Sequence, residues 1–184
     1  MRTNTSPNAL SPGYRSTASP LPDVIGLGGA LAGLCGGLAM IIVGALLSAV
    51  FGGDMWLEAK QIAAPFYGSS VNTPGFDAGP VVLGTLLHFA TAALLGSIYS
   101  IALRRVLRLP SDVGVPVLSG LIYGFLLWIL AYFVVLPLIN PSLRETYAPS
   151  FIIQHLVYGI VLGLVYAKLR PAPYADGAPR DGEF

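Results

Sequence analysis

Only two histidines occur in the chain, and both fall inside long stretches free of charged residues. Converted at the helical rise of about 1.5 Å per residue, His88 and His155 lie roughly 8 to 11 Å from the same boundary of their respective stretches. Ionisable groups are costly in hydrocarbon and turn towards the interior of a bundle, so two level imidazoles on separate helices are expected to face one another. Three kinds of chemistry follow. The plainest is an interhelical hydrogen bond from each ring to the other, to a tyrosine or serine, or to a backbone carbonyl. The second is a b-type haem with His88 and His155 as axial ligands. Small residues one and two turns further on, Ala92 with Gly96 and Gly159 with Gly163, would leave space for the macrocycle. The third is a polar gate or proton step in a conduction path, with Tyr99 and Tyr166 deeper on the same helix faces.

Other chemistries lack their residues. A zinc or di-iron site needs three or four protein ligands, often carboxylates, and the charge-free stretches contain none. Cys35 and Met40 are soft side chains that pack readily in apolar helices, so a copper site is not expected. Ser97 and Ser100 have no neighbouring acid to orient a base, and no glycine-rich phosphate loop follows a strand. Trp128 is expected to pack against a neighbouring helix. A lone cysteine excludes an intramolecular disulfide framework, and a net charge of +1 argues against nucleic acid as a partner. On these grounds neither an enzyme nor a resident cofactor is expected, the haem being the alternative.

The elements that must position these side chains follow from composition. Of the 184 residues, 54% are hydrophobic and 10% charged, with a mean hydropathy of +0.71. Soluble domains carry about a quarter charged residues, so the surface of this chain must face lipid. Four charge-poor stretches are long enough to cross a bilayer as helices: 24–51, 81–103, 113–138 and 150–169. They are apolar all round, which excludes alternating barrel strands. The expected fold is all-α, a polytopic four-helix membrane bundle over 23–170.

Arg2 and Arg15, then Arg104, Arg105 and Arg108, then Lys168, Arg170 and Arg180 fall on one side of these spans, and only Lys60 and Arg144 on the other. The positive-inside bias therefore makes both termini cytoplasmic. Residues 1–22 and 171–184 are polar and proline-rich and are expected to be disordered tails. The first span is too long for the apolar region of a signal peptide. The outer loop, 52–80, is expected to carry a short helix from Trp56 to Ala64, capped by Asp54 and stopped by Pro65. Asp54, Glu58 and Gln61 would share its polar face, and Trp56, Phe66 and Tyr67 would rest at headgroup level, giving a surface helix; a lid or docking platform is the other reading.

The second and fourth spans carry one phrase at one spacing. His88, Gly96 and Tyr99 recur as His155, Gly163 and Tyr166, each 67 residues on. In the first and third spans Gly33 and Gly37 recur as Gly120 and Gly124, 87 residues on. The longer first outer loop accounts for the difference in offset. The reading is two parallel copies of a helical hairpin, with small-xxx-small seams that let helix backbones approach closely.

His88, the run Leu136, Pro137, Leu138 with Pro141 after it, and His155 followed by Val157, Tyr158 and Gly159 resemble the uncharacterised bacterial inner-membrane proteins of the YagU-like type. The resemblance spans roughly residues 24 to 170 and implies four spans in a bacterial plasma membrane; it brings no activity with it. The function expected is a non-enzymatic packing or accessory subunit of a membrane complex, or a homo-oligomer. A haem-bearing electron carrier and a small-solute or proton channel are the alternatives.

Overall fold

The computed structural model describes residues 26–107, 114–139 and 148–169, and all regular structure among them is helical. Four helices are long and apolar enough to cross a membrane: Leu27–Phe51, Ala78–Arg104, Gly114–Leu138 and Pro149–Leu169. The charge-free stretches anticipated these four, and the chain is a multi-pass membrane protein. The two expected tails lie outside the described residues.

In chain order, α1 is Leu27–Phe51, α2 Leu57–Ile62, α3 Ala64–Tyr67 and α4 Ala78–Ile101. They are followed by α5 (Gly114–Leu130), the short α6 (Leu136–Ile139) and α7 (Ala148–Leu169). Pro80, Pro116 and Pro149 each lie in the first turn of a spanning helix, where the missing N–H has no intrahelical partner to lose. Asp77 caps α4 by accepting a hydrogen bond from the Gly79 amide at 3.2 Å. At its far end α1 closes on Gly52 at φ +72°, with the Gly52 and Gly53 amides both donating to the Ser48 carbonyl.

Between α5 and α6, residues Ala131–Val135 widen into a π turn in which the Leu136 amide donates to the Ala131 carbonyl. The cause is Pro137, which cannot donate to the carbonyl four residues back and whose ring would collide with it in a regular α-helix.

Two seams of small residues hold the bundle together. α1 packs along both α4 and α7, and α7 packs along α5. On the first seam, a Cβ at Gly33 would run into the Ala92 carbonyl, and one at Gly96 into the Gly29 carbonyl. On the second, Gly120 and Gly159 abut each other's carbonyls, Gly124 abuts that of His155, and Gly163 that of Pro116. Lipid tails are as apolar as leucine, so dispersion at close range has to replace the hydrophobic effect as the force between helices.

The interior so formed is Ala32, Ala92, Tyr99, Leu103, Tyr158, Leu162 and Tyr166. Large aliphatic side chains such as Ile42, Leu46, Leu86, Leu94, Leu118 and Leu126 point outwards, as suits a molecule solvated by lipid.

Gly33→Val and Gly120→Val are each expected to destabilise the bundle by about 1–3 kcal/mol or more, the range for overpacking. The check is a denaturation midpoint in mixed micelles. Gly53→Ala, whose added methyl would rest 3.6 Å from Ser48, serves as the near-neutral control.

Candidate functional site

One end of the bundle is covered by residues 54–77, and the segment is built around a buried lysine. Lys60 is 0% exposed. Its ammonium donates to Asp54 Oδ2 at 3.2 Å, the Thr73 carbonyl at 2.5 Å and the Gly75 carbonyl at 2.7 Å, using all three of its protons. Asp54 in turn accepts from the Trp56 amide at 3.0 Å and the Gly75 amide at 2.9 Å. Partial burial works against the charge on Asp54. The two amide bonds and the lysine outweigh it, and hold the carboxyl below its ordinary range. The result is a clasp that closes residues 54 to 75 into one unit.

This corrects the expected surface helix. α2 is shorter than the helix anticipated from Trp56 to Ala64, and Pro65 sits in the first turn of α3 instead of merely ending α2. Asp54 bonds the amide two residues on and does not cap α2, whose N-cap is Trp56 without a side-chain bond. Glu58 does not join a solvent-facing polar stripe. It turns into the bundle, where its Oε1 accepts from Gln154 Nε2 on α7 at 2.8 Å. Gly44 of α1 supplies the space, since a Cβ there would collide with the Glu58 carboxylate. Gly84 of α4 is pressed against the Ala59 carbonyl in the same way. Burial raises the Glu58 carboxyl above its ordinary range, and the bond from Gln154 offsets that only in part.

Sequence reasoning missed Glu58 and Gln154 as a pair, yet a signal was present. At the 87- and 67-residue offsets, Gly44 corresponds to Ala131, Gly84 to Phe151 and Gln154 to Leu87. Gly44, Gly84 and Gln154 depart from the repeated pattern, and all three touch α2.

Deeper in the bundle, the two histidines go to separate partners. His88 Nε2 lies 3.0 Å from the Gly37 carbonyl on α1 and so carries its proton on Nε2. His155 Nδ1 lies 2.8 Å from the Phe151 carbonyl of its own helix and carries its proton there. No hydrogen bond joins the two rings among the described residues. Below them the tyrosine hydroxyls take over. Tyr158 donates to the Ala92 carbonyl at 2.8 Å, and Tyr123 to the Leu95 carbonyl at 2.9 Å. Tyr99 donates to the Pro116 carbonyl at 2.6 Å, with Ser119 Oγ 2.9 Å away. Tyr99 and Tyr166, matched in the sequence, meet edge to face with ring centroids 5.7 Å apart. Tyr123 and Tyr158 carried no spacing signal and are equal members of this cluster. Tyr158 fits because Gly36 leaves room for its ring.

The two imidazoles are not presented as a matched pair of axial ligands in this arrangement. A ligating imidazole normally binds through one nitrogen while the other donates to an oxygen, and His155 is set up that way with Nε2 left over. His88 has the opposite tautomer, with Nε2 committed to Gly37. The small residues that would have made room, Ala92, Gly96, Gly159 and Gly163, are filled by the backbone of the facing helix. Among the described residues no three His, Cys, Asp or Glu side chains gather into a metal site. Trp128, expected to pack across to another helix, stacks on Phe125 and Tyr132 of its own segment, each 5.6 Å between centroids.

An all-helical, four-span membrane protein with a hydrogen-bonded polar interior and a clasped cap is the class this architecture defines. Within that class, the chain belongs to the family of unknown function DUF6789, which matches residues 24–176. No curated protein and no solved structure matches it.

Tyr158→Phe is expected to lower stability by about 0.6 kcal/mol, within a ceiling near 1.7 kcal/mol for an interhelical bond in lipid, as read from the same micelle titration. Lys60→Met is expected to abolish amide-exchange protection in residues 54–75 while leaving α5 and α7 protected. Acid should do the same. Because the Asp54 value is depressed in the folded chain, its stabilisation is complete above the ordinary carboxylate value and is lost as pH falls through the depressed one.

Proposed function

We propose that this protein is a non-enzymatic structural subunit of the bacterial plasma membrane, working by contact within a homo-oligomer or a larger membrane complex. The observation that carries this reading is the state of the interior polar groups. Gln154, His88, Tyr99, Tyr123 and Tyr158 each link one helix or the cap to another. Such bonds rigidify a bundle, and each spends its polar group on a contact within the fold. Function then resides on the outside. There α5, packed closely along α7, presents Phe125 and Ile129 outwards beside the mid-span Trp128 stack, and the π turn that follows presents Phe133.

The bundle is read as two parallel hairpin copies with both termini cytoplasmic. One correspondence supports the duplication: the Gly33–Gly96 contact of α1 with α4 has its counterpart in the Gly120–Gly163 contact of α5 with α7, at offsets of 87 and 67. The distribution of arginine and lysine supports the orientation.

A second reading, a proton or small-solute path, is favoured by one arrangement. Glu58 with Gln154, the histidines and the tyrosines follow one another from the capped end inwards. That path would appear as liposome flux lost in His88→Ala.

Subunit counting by photobleaching in lipid nanodiscs tests the structural reading. Two or more copies per particle, or a constant stoichiometry with one co-purified membrane protein, is expected, falling in a Phe125→Ala, Phe133→Ala double variant. A monomer without a partner overturns it.

A further inference from the structure

The clasped segment 54–75 is tied internally through one carboxyl, Asp54, and to the bundle through another, Glu58, and the two behave oppositely. Lys60 and Asp54 close the segment on itself. Its attachment to the spanning helices rests on Glu58 entering the slot beside Gly44 and Gln154, and on Ala59 resting against Gly84. Gly52 and Gly75 stand at the two ends of the segment, both at positive φ (+72° and +93°) with open space around them. The segment is thus a preformed unit with glycine joints, seated by a carboxyl.

Among the described residues, the surroundings of that carboxyl contain no cation free to balance it. α1 brings Gly44 and has no Asp, Glu, Lys, Arg or His. α4 brings Gly84, with His88 one turn deeper bonded to Gly37. α7 brings Gln154, with the adjacent His155 bonded to Phe151. On the segment itself Lys60 is held by Asp54, Thr73 and Gly75. A carboxylate seated there has one amide N–H for support, whereas a neutral acid can both accept from the Gln154 amide group and donate to its oxygen.

We infer that Glu58 is a proton-binding site that controls the seating of segment 54–75: with the proton bound the segment stays docked, and with the proton released it leaves its slot. The sign follows from linkage. The docked state holds the proton more tightly than the undocked one, so docking is strongest at low pH and weakens as pH rises from the ordinary carboxylate value to the raised one, by tenfold per unit of difference. Below that window the Asp54 clasp fails instead, which leaves an interval in which the cap is both closed and seated.

The test uses the full chain in nanodiscs with two readouts. Infrared titration should show a neutral carboxylic acid band that survives above the ordinary carboxylate range, about pH 4.3, and is missing in Glu58→Gln. Hydrogen exchange of residues 57–67, corrected for the intrinsic pH dependence and referred to α5, should lose at least tenfold in protection across the same titration in the native chain. Glu58→Gln, which is neutral and isosteric, should stay protected throughout. A band that titrates with ordinary carboxylates overturns the site. An unchanged protection profile between the native chain and Glu58→Gln overturns the coupling to docking. Neither result depends on the oligomeric state, so failure here is distinct from failure of the structural-subunit reading.

Discussion

Helices in lipid are not pressed together by solvent, and every other feature of this bundle depends on how that deficit is met. The chain meets it with backbone-to-backbone contact at glycine. Gly33, Gly96, Gly120, Gly124, Gly159 and Gly163 bring carbonyls of facing helices to distances that a side chain would forbid. Such close approach maximises dispersion. It also leaves little width for large side chains along the seams. Many of the bulky aliphatics are therefore directed at lipid, while Tyr99, Tyr123 and Tyr158 turn to the interior, where their hydroxyls find main-chain oxygens.

That sorting also decides where the interior hydroxyls find their partners. A tyrosine buried in hydrocarbon must place its hydroxyl on an acceptor. Here the acceptors of Tyr158 and Tyr123 are the Ala92 and Leu95 carbonyls of a neighbouring helix. Each bond then works as a cross-tie between helices. His88 does the same for α1 and α4 through Gly37. The equivalent tie is absent at His155, which turns back on its own helix. The two glycine seams are alike, and the ties made by the two histidines differ.

The spans were legible because charge is nearly forbidden in hydrocarbon, so the absence of Asp, Glu, Lys and Arg marked their ends to within a few residues. The histidines were legible as interior groups from scarcity and position, but their partners were not. A main-chain carbonyl carries no sequence signal, and Gly37 and Phe151 could not be told from any other acceptor. The cap was misread for a different reason. Asp54, Glu58 and Lys60 look like the polar face of a surface helix when only the helix period is considered. What assigns Lys60 and Glu58 to opposite tasks is tertiary: the carbonyls of Thr73 and Gly75 for one, Gln154 for the other. Departures from an internal pattern, at Gly44, Gly84 and Gln154, were the available clue and pointed to the docking slot.

Gln154 also sets an order of events. Glu58 stands between the first and second spans, and its partner belongs to the last span, 96 positions further along the chain. During synthesis from the N-terminus the carboxyl is made long before the amide that seats it. The first hairpin can form its glycine seam as soon as α4 is inserted, but its cap has no slot until α7 has come to lie beside α1. Seating of the cap therefore requires that α7 has been inserted, and a chain truncated before α7 would display an unseated 54–75 segment to whatever surveys the membrane for incomplete proteins.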